Sequence, residues 1–501
     1  MPGVNGRGAR VGTILGVRVA GPGVELLPFE GPWDVVIDDA GRIADLRLPG
    51  ILPPVGDTLD GDGAWLVPGL WDHHVHVVQA ALAARRHPLG DVKSAHVAAE
   101  AMAGAAMDED GRRVGTGFRD ALWPDLPSLD MLDAATGDVA TYLINADVHS
   151  VWLNTAAFRR EGMTPVDSTG LLREEPAFEI SRRLNAASAE RADAAVARFA
   201  QGAAARGVVG LVDFDMGWNP EAWQRRTGGG FDTLRIEFGT YPAMLDRLIA
   251  EGWTTGDRVS DLVTVGSLKV ISDGSLGTRT AACSHPYAGT HDDRGVLTVP
   301  PGELRALMTE ATANGISCAI HAIGDLANSH ALDAFAVTGA RGSIEHAQLV
   351  SAVDVPRFAR LGVTASVQPE HALDDRDMTD TLWAHQTAMP YPLRALADSG
   401  ANLTLGSDAP VAALDPWAAM ASAVFRTRDG REAWQPGQAL PLEVALAAST
   451  HGGSEHPARI AVGEPADLVL CETDPRVAGE RELRAMEVRA TLVGGRITHL
   501  G

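Results

Sequence analysis

From residue 207 onward the chain repeats one pattern, in which a short apolar run rich in β-branched residues is followed by a stretch of helix-forming residues. Near-continuous hydrophobic strands that alternate with helices are typical of a parallel sheet covered on both faces. With one earlier run the strands number eight, and eight βα units predict an α/β fold, the TIM (β/α)8 barrel, whose chemistry lies at the carboxyl ends of the strands. The predicted strands are residues 65–70, 207–215, 234–241, 262–272, 316–321, 342–346, 363–368 and 403–406.

Both ends of the chain carry a different pattern. Residues 12–66 and the residues after about 460 contain short β runs separated by Gly, Pro and Asp turns. Neither segment could hold much of a core alone, so we expect residues 1–66 and 460–501 to form one small β-sandwich domain beside the barrel. The barrel domain then spans residues 67–459. Its Ala-rich residues from about 80 to 206 are predicted to form an insertion, because they are too long for one crossover.

The composition excludes several classes of protein. The net charge of −23 argues against a nucleic-acid partner, because phosphates repel an acidic chain. The three cysteines, Cys283, Cys318 and Cys471, are far apart, which indicates neither a disulfide framework nor a thiolate zinc site. Residues 1–12 are not followed by the apolar stretch of a secretory signal, and no run of about 18 apolar residues could span a membrane. We expect a soluble cytoplasmic protein that acts on a small molecule without a membrane partner; the oligomeric state stays open, with a homodimer as the candidate assembly.

Polar side chains mark the ends of five predicted strands. His74 and His76 follow the first strand two positions apart, so on an extended backbone both imidazoles point to the same side. Taken singly, each residue of the set has a structural explanation: a hydrogen-bonded core histidine, an aspartate that caps a helix, or a lysine whose stem lies on apolar surface. Their joint occurrence at ends that converge in a barrel indicates a metal site. The other members are Lys269 on the fourth strand, His321 on the fifth, His346 on the sixth and Asp408 on the eighth.

Four motifs relate this pattern to a known family. They are Pro-Gly-Leu-Trp-Asp-His-His-Val-His at 68–76, Lys-Val-Ile-Ser-Asp-Gly-Ser-Leu-Gly-Thr-Arg-Thr-Ala at 269–281, His-Ala-Ile-Gly-Asp at 321–325 and Gly-Ser-Asp-Ala-Pro-Val at 406–411. By these motifs the chain resembles the amidohydrolase superfamily over nearly its whole length, and within it the amidohydrolase-3 branch of YtcJ-like and N-substituted formamide deformylase-like proteins. The resemblance implies one or two divalent ions per chain, with zinc as the expected metal. It implies a carboxylated Lys269 that bridges two ions, and as further ligands His74, His76, His321, His346 and Asp408.

The activity that the resemblance implies is hydrolysis of a non-peptide, amide-type C–N bond in a small molecule such as an N-acyl or N-formyl amine. A water activated by the metal would be the nucleophile. Asp408 would accept its proton as general base and later deliver it to the leaving nitrogen, while His321 or His149 would help to polarise the carbonyl oxygen. The predicted substrate-binding residues are His149, Asn154, Arg279, Gln368 and His371.

Two other functions stay open at this point. A deaminase that removes ammonia from a ring amine would need one metal ion and would not need Lys269, so a content near two ions per chain favours the amide hydrolase. A non-catalytic binding protein on the same scaffold would be indicated by lost ligands, and here no ligand position is lost. Because a fold alone does not establish a function, the intact set of ligands is the stronger observation.

Overall fold

A computed structural model describes residues 6–29, 31–84, 86–185 and 188–501 of the chain. Residues 1–5, at the start of the predicted N-terminal β segment, and residue 30 lie outside the described residues. A parallel sheet of eight strands forms the centre of the molecule and confirms the predicted TIM barrel. Its strands are β1 (Leu70–Val75), β2 (Val208–Asp213), β3 (Arg235–Thr240), β4 (Val263–Ile271), β5 (Cys318–Ala322), β6 (Gly342–His346), β7 (Thr364–Val367) and β8 (Leu403–Leu405).

Amphipathic helices cover the outside of the barrel. Helix Pro301–Ala313 is representative, because it has Pro at its first position and buries Leu304, Met308 and Ala311, which share one face at helical spacing. Such faces bury their apolar side chains in the same core as the strands. The other helices of the barrel region are Val77–Ala83, Ala189–Ala205, Asn219–Gly228, Leu245–Ala250, Asp325–Thr338, Val355–Leu361, Pro369–Asp374, Arg376–Leu382, Leu393–Asp398, Pro416–Phe425 and Leu442–Ala448.

A separate layer of sheet and helices is formed by the residues that follow helix Val77–Ala83 and precede helix Ala189–Ala205 in the sequence, within the predicted insertion. The two helices pack against each other, so the inserted layer is shorter than the predicted block. Its sheet has five strands in the order Leu171–Arg173, Ser150–Leu153, Thr141–Asn145, Arg113–Phe118 and His87–Pro88. Its helices are Ala95–Ala103, Leu129–Thr136, Thr155–Glu161 and Glu175–Leu184.

The two ends of the chain meet in another sheet of eight strands beside the barrel, which agrees with the predicted β-sandwich domain. Its core contains side chains from both ends, such as Ile14 and Leu492. Strand Trp65–Pro68 joins the two parts, because it pairs with Thr13–Val19 on one side and with Leu468–Cys471 on the other. The remaining strands are Trp33–Ile37, Ile43–Arg47, Thr58–Asp60, Val488–Val493 and Arg496–Leu500, and helix Glu480–Arg484 precedes the last two.

The first barrel strand differs from the prediction. The sequence predicts residues 65–70 for this strand, but Trp65–Pro68 belongs to the terminal sheet and β1 begins at Leu70. The prediction is wrong because this one apolar run contributes strands to two sheets. Hydrophobicity alone does not show where the chain stops pairing with one sheet and begins to pair with the other. His74 therefore lies within β1, and His76 directly follows it.

Backbone hydrogen bonds close the barrel at the end where the predicted ligands lie. The Asp408 N–H donates to the His74 carbonyl at 2.8 Å, and the His76 N–H donates to the Ala409 carbonyl at 2.9 Å. Gly406 permits this approach, since a Cβ at that position would lie 2.8 Å from the His74 nitrogen. The backbone itself therefore holds the candidate ligands of the first and last strands side by side.

We expect Gly69→Ala to lower the free energy of unfolding by about 1–3 kcal/mol, the usual cost of overpacking a core. A Cβ at residue 69 would lie 2.4 and 2.5 Å from the two methyl carbons of Val209, where the chain passes from the terminal sheet into the barrel. Urea unfolding measures the change. Gly217→Ala is the matched control, because a Cβ there meets nothing within 4 Å; equal stability of the two variants would contradict the prediction.

Candidate metal centre

A cavity opens at the carboxyl ends of the barrel strands and lies beneath the insertion. All six predicted metal ligands line it, together with residues of the insertion such as Arg119 and His149. Apolar side chains form much of the remaining wall, which includes Val148, Phe178, Met216, Leu276, Met378 and Val411. A mostly apolar cavity with a few convergent polar groups is typical of a small-molecule site.

Three of the predicted ligands form a compact group. One nitrogen of His74, one nitrogen of His346 and one carboxylate oxygen of Asp408 lie within 4.8 Å of one another, and all three residues are buried. Asp408 Oδ1 lies 3.5 Å from His74 Nε2 and 3.5 Å from His76 Nε2. The rings of His321 and His346 meet edge to face, with their centroids 4.5 Å apart. The strand ends therefore bring these side chains together around one point.

Hydrogen bonds from the surrounding protein decide which nitrogen of each histidine faces the group. Glu345 accepts from His74 Nδ1 at 2.7 Å, and Gln368 Oε1 accepts from His346 Nδ1 at 2.8 Å. Each of these rings then carries its proton on Nδ1 and its lone pair on Nε2, the atom that could bind a cation. His321 has the opposite arrangement, because its Nε2 lies 3.3 Å from a backbone carbonyl and its Nδ1 is left free.

Burial keeps the imidazoles neutral, and neutral imidazole is the form that binds metal ions. It lowers the pKa of His346 to about 3 and holds the pKa values of His74 and His321 well below the ordinary histidine value, because a charged ring would lose its hydration. Burial opposes ionisation of Asp408 too, but its contacts with His74 and His76 hold the pKa of the carboxyl well below its ordinary value.

Lys269 lies beside the ligand group. Its Nζ is 3.0 Å from His74 Nε2 and 4.3 Å from the centroid of the Phe214 ring. Burial lowers the pKa of Lys269 to about 8, because the apolar surroundings disfavour the ammonium form. This lysine therefore gives up its proton more readily than an exposed lysine does.

The donor set fits a divalent cation. His76 Nδ1 and His371 Nε2 are buried and have no hydrogen-bond partner among the described residues, although an unpartnered buried polar atom costs free energy. Neutral nitrogens that converge on a carboxylate, as those of His74 and His346 do on Asp408, are the ligands that zinc and similar ions accept. A cation among them would accept the lone pairs of His74 and His346 and would neutralise the charge of the Asp408 carboxylate.

The structure brings two of the predicted substrate-binding residues into the cavity. His149 and His371 both line it, and His371 Nε2 lies 3.9 Å from Asp408 Oδ2. Gln368 hydrogen-bonds to the ring of His346, so its amide is directed to a candidate ligand, and it does not line the cavity. Arg279 is exposed and does not line the cavity, so the structure does not bring it together with the candidate ligands.

Asn154 also lies away from the cavity. Its side-chain oxygen accepts from the Ala157 N–H and caps helix Thr155–Glu161, while its amide donates to the Thr136 hydroxyl and to nearby carbonyls. All of these hydrogen bonds are made to other residues of the insertion, so Asn154 has a structural role there. The signal was available in the sequence, because Asn before Thr-Ala-Ala is a typical helix N-cap.

Sequence reasoning missed three charged residues of the site. Glu345 orients His74, Glu174 accepts from His149 Nδ1 at 2.9 Å, and Arg119 joins the roof of the cavity to Asp374 at 2.9 Å. Glu345 could have been found, because a carboxylate beside a ligand in a buried strand needs a partner. The other two had no comparable signal, since neither stands beside a predicted ligand in a predicted barrel strand.

Several residues in or beside the cavity have strained backbone. His346 (φ 74°), Asp408 (φ 56°), Val148 (φ 58°) and Glu174 (φ 52°) all have positive φ values, which residues other than glycine rarely adopt. Each such residue typically costs about 1–3 kcal/mol and persists only where the surrounding structure enforces it. Because strained residues tend to cluster at functional sites, their coincidence with the candidate ligands supports this cavity as the functional site.

We expect Glu345→Ala to weaken binding of a divalent cation by about 10–100-fold, the usual effect of losing the partner of a metal-binding histidine. The His74 Nδ1 proton would lose its buried acceptor, and the ring would no longer be held with Nε2 toward Asp408. Titration calorimetry with Zn²⁺ measures the change. Glu345→Gln is the matched variant, because its amide oxygen still accepts from Nδ1; unchanged affinity in Glu345→Ala would contradict this role.

The part of the chain that the structure describes contains no helix with the length and apolar character needed to cross a bilayer.

Comparison with known proteins gives three findings. The sequence model described as "Amidohydrolase family" matches residues 57–499. Protein LONG AFTER FAR-RED 3 of Arabidopsis thaliana is 27% identical over 481 residues, which cover 87% of this chain and 82% of that protein. N-substituted formamide deformylase of Arthrobacter pascens is 25% identical over 260 residues, which are 48% of this chain and 47% of the deformylase.

Solved structures agree with the fold. An uncharacterized metal-dependent hydrolase from Pyrococcus horikoshii OT3 superposes with a TM-score of 0.78 and covers 94% of this chain and 99% of its own. The two sequences are 23% identical, so this similarity shows the fold alone. The barrel, the insertion and the terminal sheet therefore occur together in another protein.

Proposed function

Because the chain belongs to the amidohydrolase family of hydrolases that act on carbon–nitrogen bonds, we propose that it is a metal-dependent hydrolase of an amide-type bond, other than a peptide bond, in a small molecule. The substrate class that we propose is an N-acyl or N-formyl amine. The observation that supports the proposal most is the buried group of His74, His346 and Asp408, whose ligand atoms lie within 4.8 Å of one another. Similarity to a formamide deformylase over about half the chain supports the formyl class.

The proposed ligands include more than this compact group. We assign His74, His76, His321, His346 and Asp408 as ligands of zinc or a similar ion, with Lys269 as a carboxylated bridge where two ions bind. Carboxylation would replace an ammonium, which repels a cation, by an anionic oxygen donor. A divalent cation held here would supply a water of lowered pKa and polarise the substrate carbonyl.

The chain's own residues perform the remaining steps of the proposed reaction. Asp408 takes the proton of the attacking water at a carboxylate oxygen and passes it to the leaving nitrogen, which departs as a neutral amine. His149 lines the same cavity and donates a hydrogen bond from Nε2 to the carbonyl oxygen as negative charge develops there. Apolar side chains such as Phe178 and Met378 exclude water and receive the organic substituents of the substrate.

Metal analysis joined to a substrate screen tests this proposal. Purified protein is analysed for its metal content and incubated with N-formyl amines, N-acyl amines, cyclic amides and ring amines. Release of amine, release of ammonia and opening of the cyclic amides are measured separately. Release of amine or formate by protein with about two ions per chain supports the amide hydrolase. Ammonia release from a ring amine by protein with about one ion supports the deaminase, and absence of turnover on every class with metal bound supports a binding protein.

A further inference from the structure

A histidine and a glutamate of the insertion form a dyad at the edge of the cavity. His149 directly precedes strand Ser150–Leu153 and Glu174 directly follows the neighbouring strand Leu171–Arg173, and the Glu174 N–H donates to the His149 carbonyl at 2.9 Å. Their side chains also meet, because His149 Nδ1 donates to Glu174 Oε2 at 2.9 Å. The other ring nitrogen of His149, Nε2, has no hydrogen-bond partner among the described residues, and the residue lines the cavity.

The second oxygen of Glu174 binds the loop that follows β4, the strand that carries Lys269. Glu174 Oε1 accepts from the Thr280 hydroxyl at 2.5 Å and from the Thr278 hydroxyl at 3.2 Å. Gly274 allows this approach, since a Cβ at that position would lie 2.0 Å from Thr280 Oγ1 and 2.9 Å from Glu174 Oε1. One carboxylate oxygen of Glu174 therefore accepts a hydrogen bond from His149, and the other accepts hydrogen bonds from the barrel loop.

The backbone of His149 is fixed to the same loop. Asp147 Oδ1 accepts from the His149 N–H at 3.0 Å, and Asp147 Oδ2 accepts from the Ser275 hydroxyl at 2.7 Å. The edge of the imidazole packs on Phe178, with the ring centroids 5.1 Å apart, and its centroid lies 5.8 Å from that of His321. The His149 ring is thus held on several sides and lies beside the ring of His321, a candidate ligand.

We propose that Glu174 is a positioning residue that holds His149 in the orientation in which Nε2–H donates to the carbonyl oxygen of the substrate, and that Thr278 and Thr280 fix Glu174 to the barrel. This inference rests on the proposed amide hydrolysis for the identity of the substrate oxygen. The insertion then supplies both the hydrogen-bond donor, His149, and the residue that orients it, Glu174. The cavity is therefore complete only when the insertion is docked on the loop after β4.

Two further observations favour this role over that of an ordinary ion pair. Glu174 is the N-cap residue of helix Glu175–Leu184, but its side chain makes no capping hydrogen bond to that helix. Its carboxylate is directed to His149 instead. It does so from a left-handed backbone conformation (φ 52°). A carboxylate that accepts from Nδ1 favours the doubly protonated ring, in which Nε2 also carries a proton that it can donate.

A double-mutant cycle tests the proposal on the metal-loaded protein. We expect His149→Ala to lower kcat by about 100-fold, as for the loss of one oxyanion donor, with little change in KM. Glu174→Ala should lower kcat by about 10–100-fold, and Glu174→Gln should recover part of the loss because its amide oxygen still accepts from Nδ1. If Glu174 acts through His149, the double alanine variant is no slower than His149→Ala; losses that multiply would overturn the proposal.

A control variant and a second readout separate this inference from the proposed function. Glu175→Ala removes an exposed neighbouring glutamate that pairs with Arg182, and its kcat should stay within about twofold of the wild type. Proton NMR of protein with ¹⁵N-labelled histidine should show a strongly downfield Nδ1 proton that is absent from Glu174→Ala and from His149→Ala. This readout needs no turnover, so it tests the dyad even if the substrate class is wrong, and a resonance that persists in Glu174→Ala would overturn the proposal.

Discussion

Replacement of Asp408 by asparagine should lower kcat by about 10²–10⁴-fold, the range expected for loss of a general acid–base group, and should leave KM nearly unchanged. Asp408 Oδ1 lies 3.5 Å from His74 Nε2 and 3.5 Å from His76 Nε2, so a water bound by a cation at these nitrogens would lie close to the carboxylate. Asparagine has the same shape and keeps one oxygen donor, but its amide cannot take a proton near neutral pH. Steady-state kinetics on the substrate found by the screen measure the effect.

Metal analysis of the same variant distinguishes a lost proton acceptor from a lost ligand. If Asp408→Asn keeps its metal but has lost turnover, the residue acts in proton transfer; if the metal is also lost, ligation accounts for the effect. Asp398→Asn is the control, because that aspartate is exposed and pairs only with Arg394 among the described residues. Full turnover by Asp408→Asn would remove this residue from the mechanism.

The sequence predicted the parts of the structure that have a local pattern. Alternating apolar strands and helices give the barrel, and each candidate ligand lies within three residues of the carboxyl end of a strand, where parallel strands must converge. His346 and Asp408 could therefore be placed together although they lie on different strands. The register at β1 could not be predicted in the same way, because the apolar run from Trp65 to Leu70 continues across two sheets.

Side-chain roles that depend on distant partners were not predictable. Gln368 follows β7 and has the position of a pocket residue, but its amide turns toward His346. Glu174 binds Thr278 and Thr280, about a hundred positions away along the chain. No periodicity relates an insertion to the barrel loop on which it docks, so such contacts became visible only in three dimensions.

Complete removal of divalent cations should abolish turnover and lower the thermal stability of the protein. Without a cation, the neutral nitrogens of His74 and His346 face the Asp408 carboxylate in a buried space, and no group remains to activate water. An ion that binds the folded chain alone stabilises it by about 2.7 kcal/mol at a free concentration of 100 times its dissociation constant. Exhaustive dialysis against a chelator, followed by assay and thermal unfolding with and without added Zn²⁺, measures both effects.

A ligand variant makes this prediction specific. His346→Ala lacks one member of the compact group, so added Zn²⁺ should raise its unfolding temperature less than that of the stripped wild type. His291→Ala is the matched control, because the His291 ring is 99% exposed and does not line the cavity. Zinc should therefore stabilise this variant as it does the wild type. Full activity after the metal content falls far below one ion per chain would contradict a metal-dependent reaction. Recovery of activity with Zn²⁺, Mn²⁺ or Co²⁺ in the wild type but not in His346→Ala would connect the dependence to this cavity, since neutral imidazole and carboxylate ligands accept all three ions.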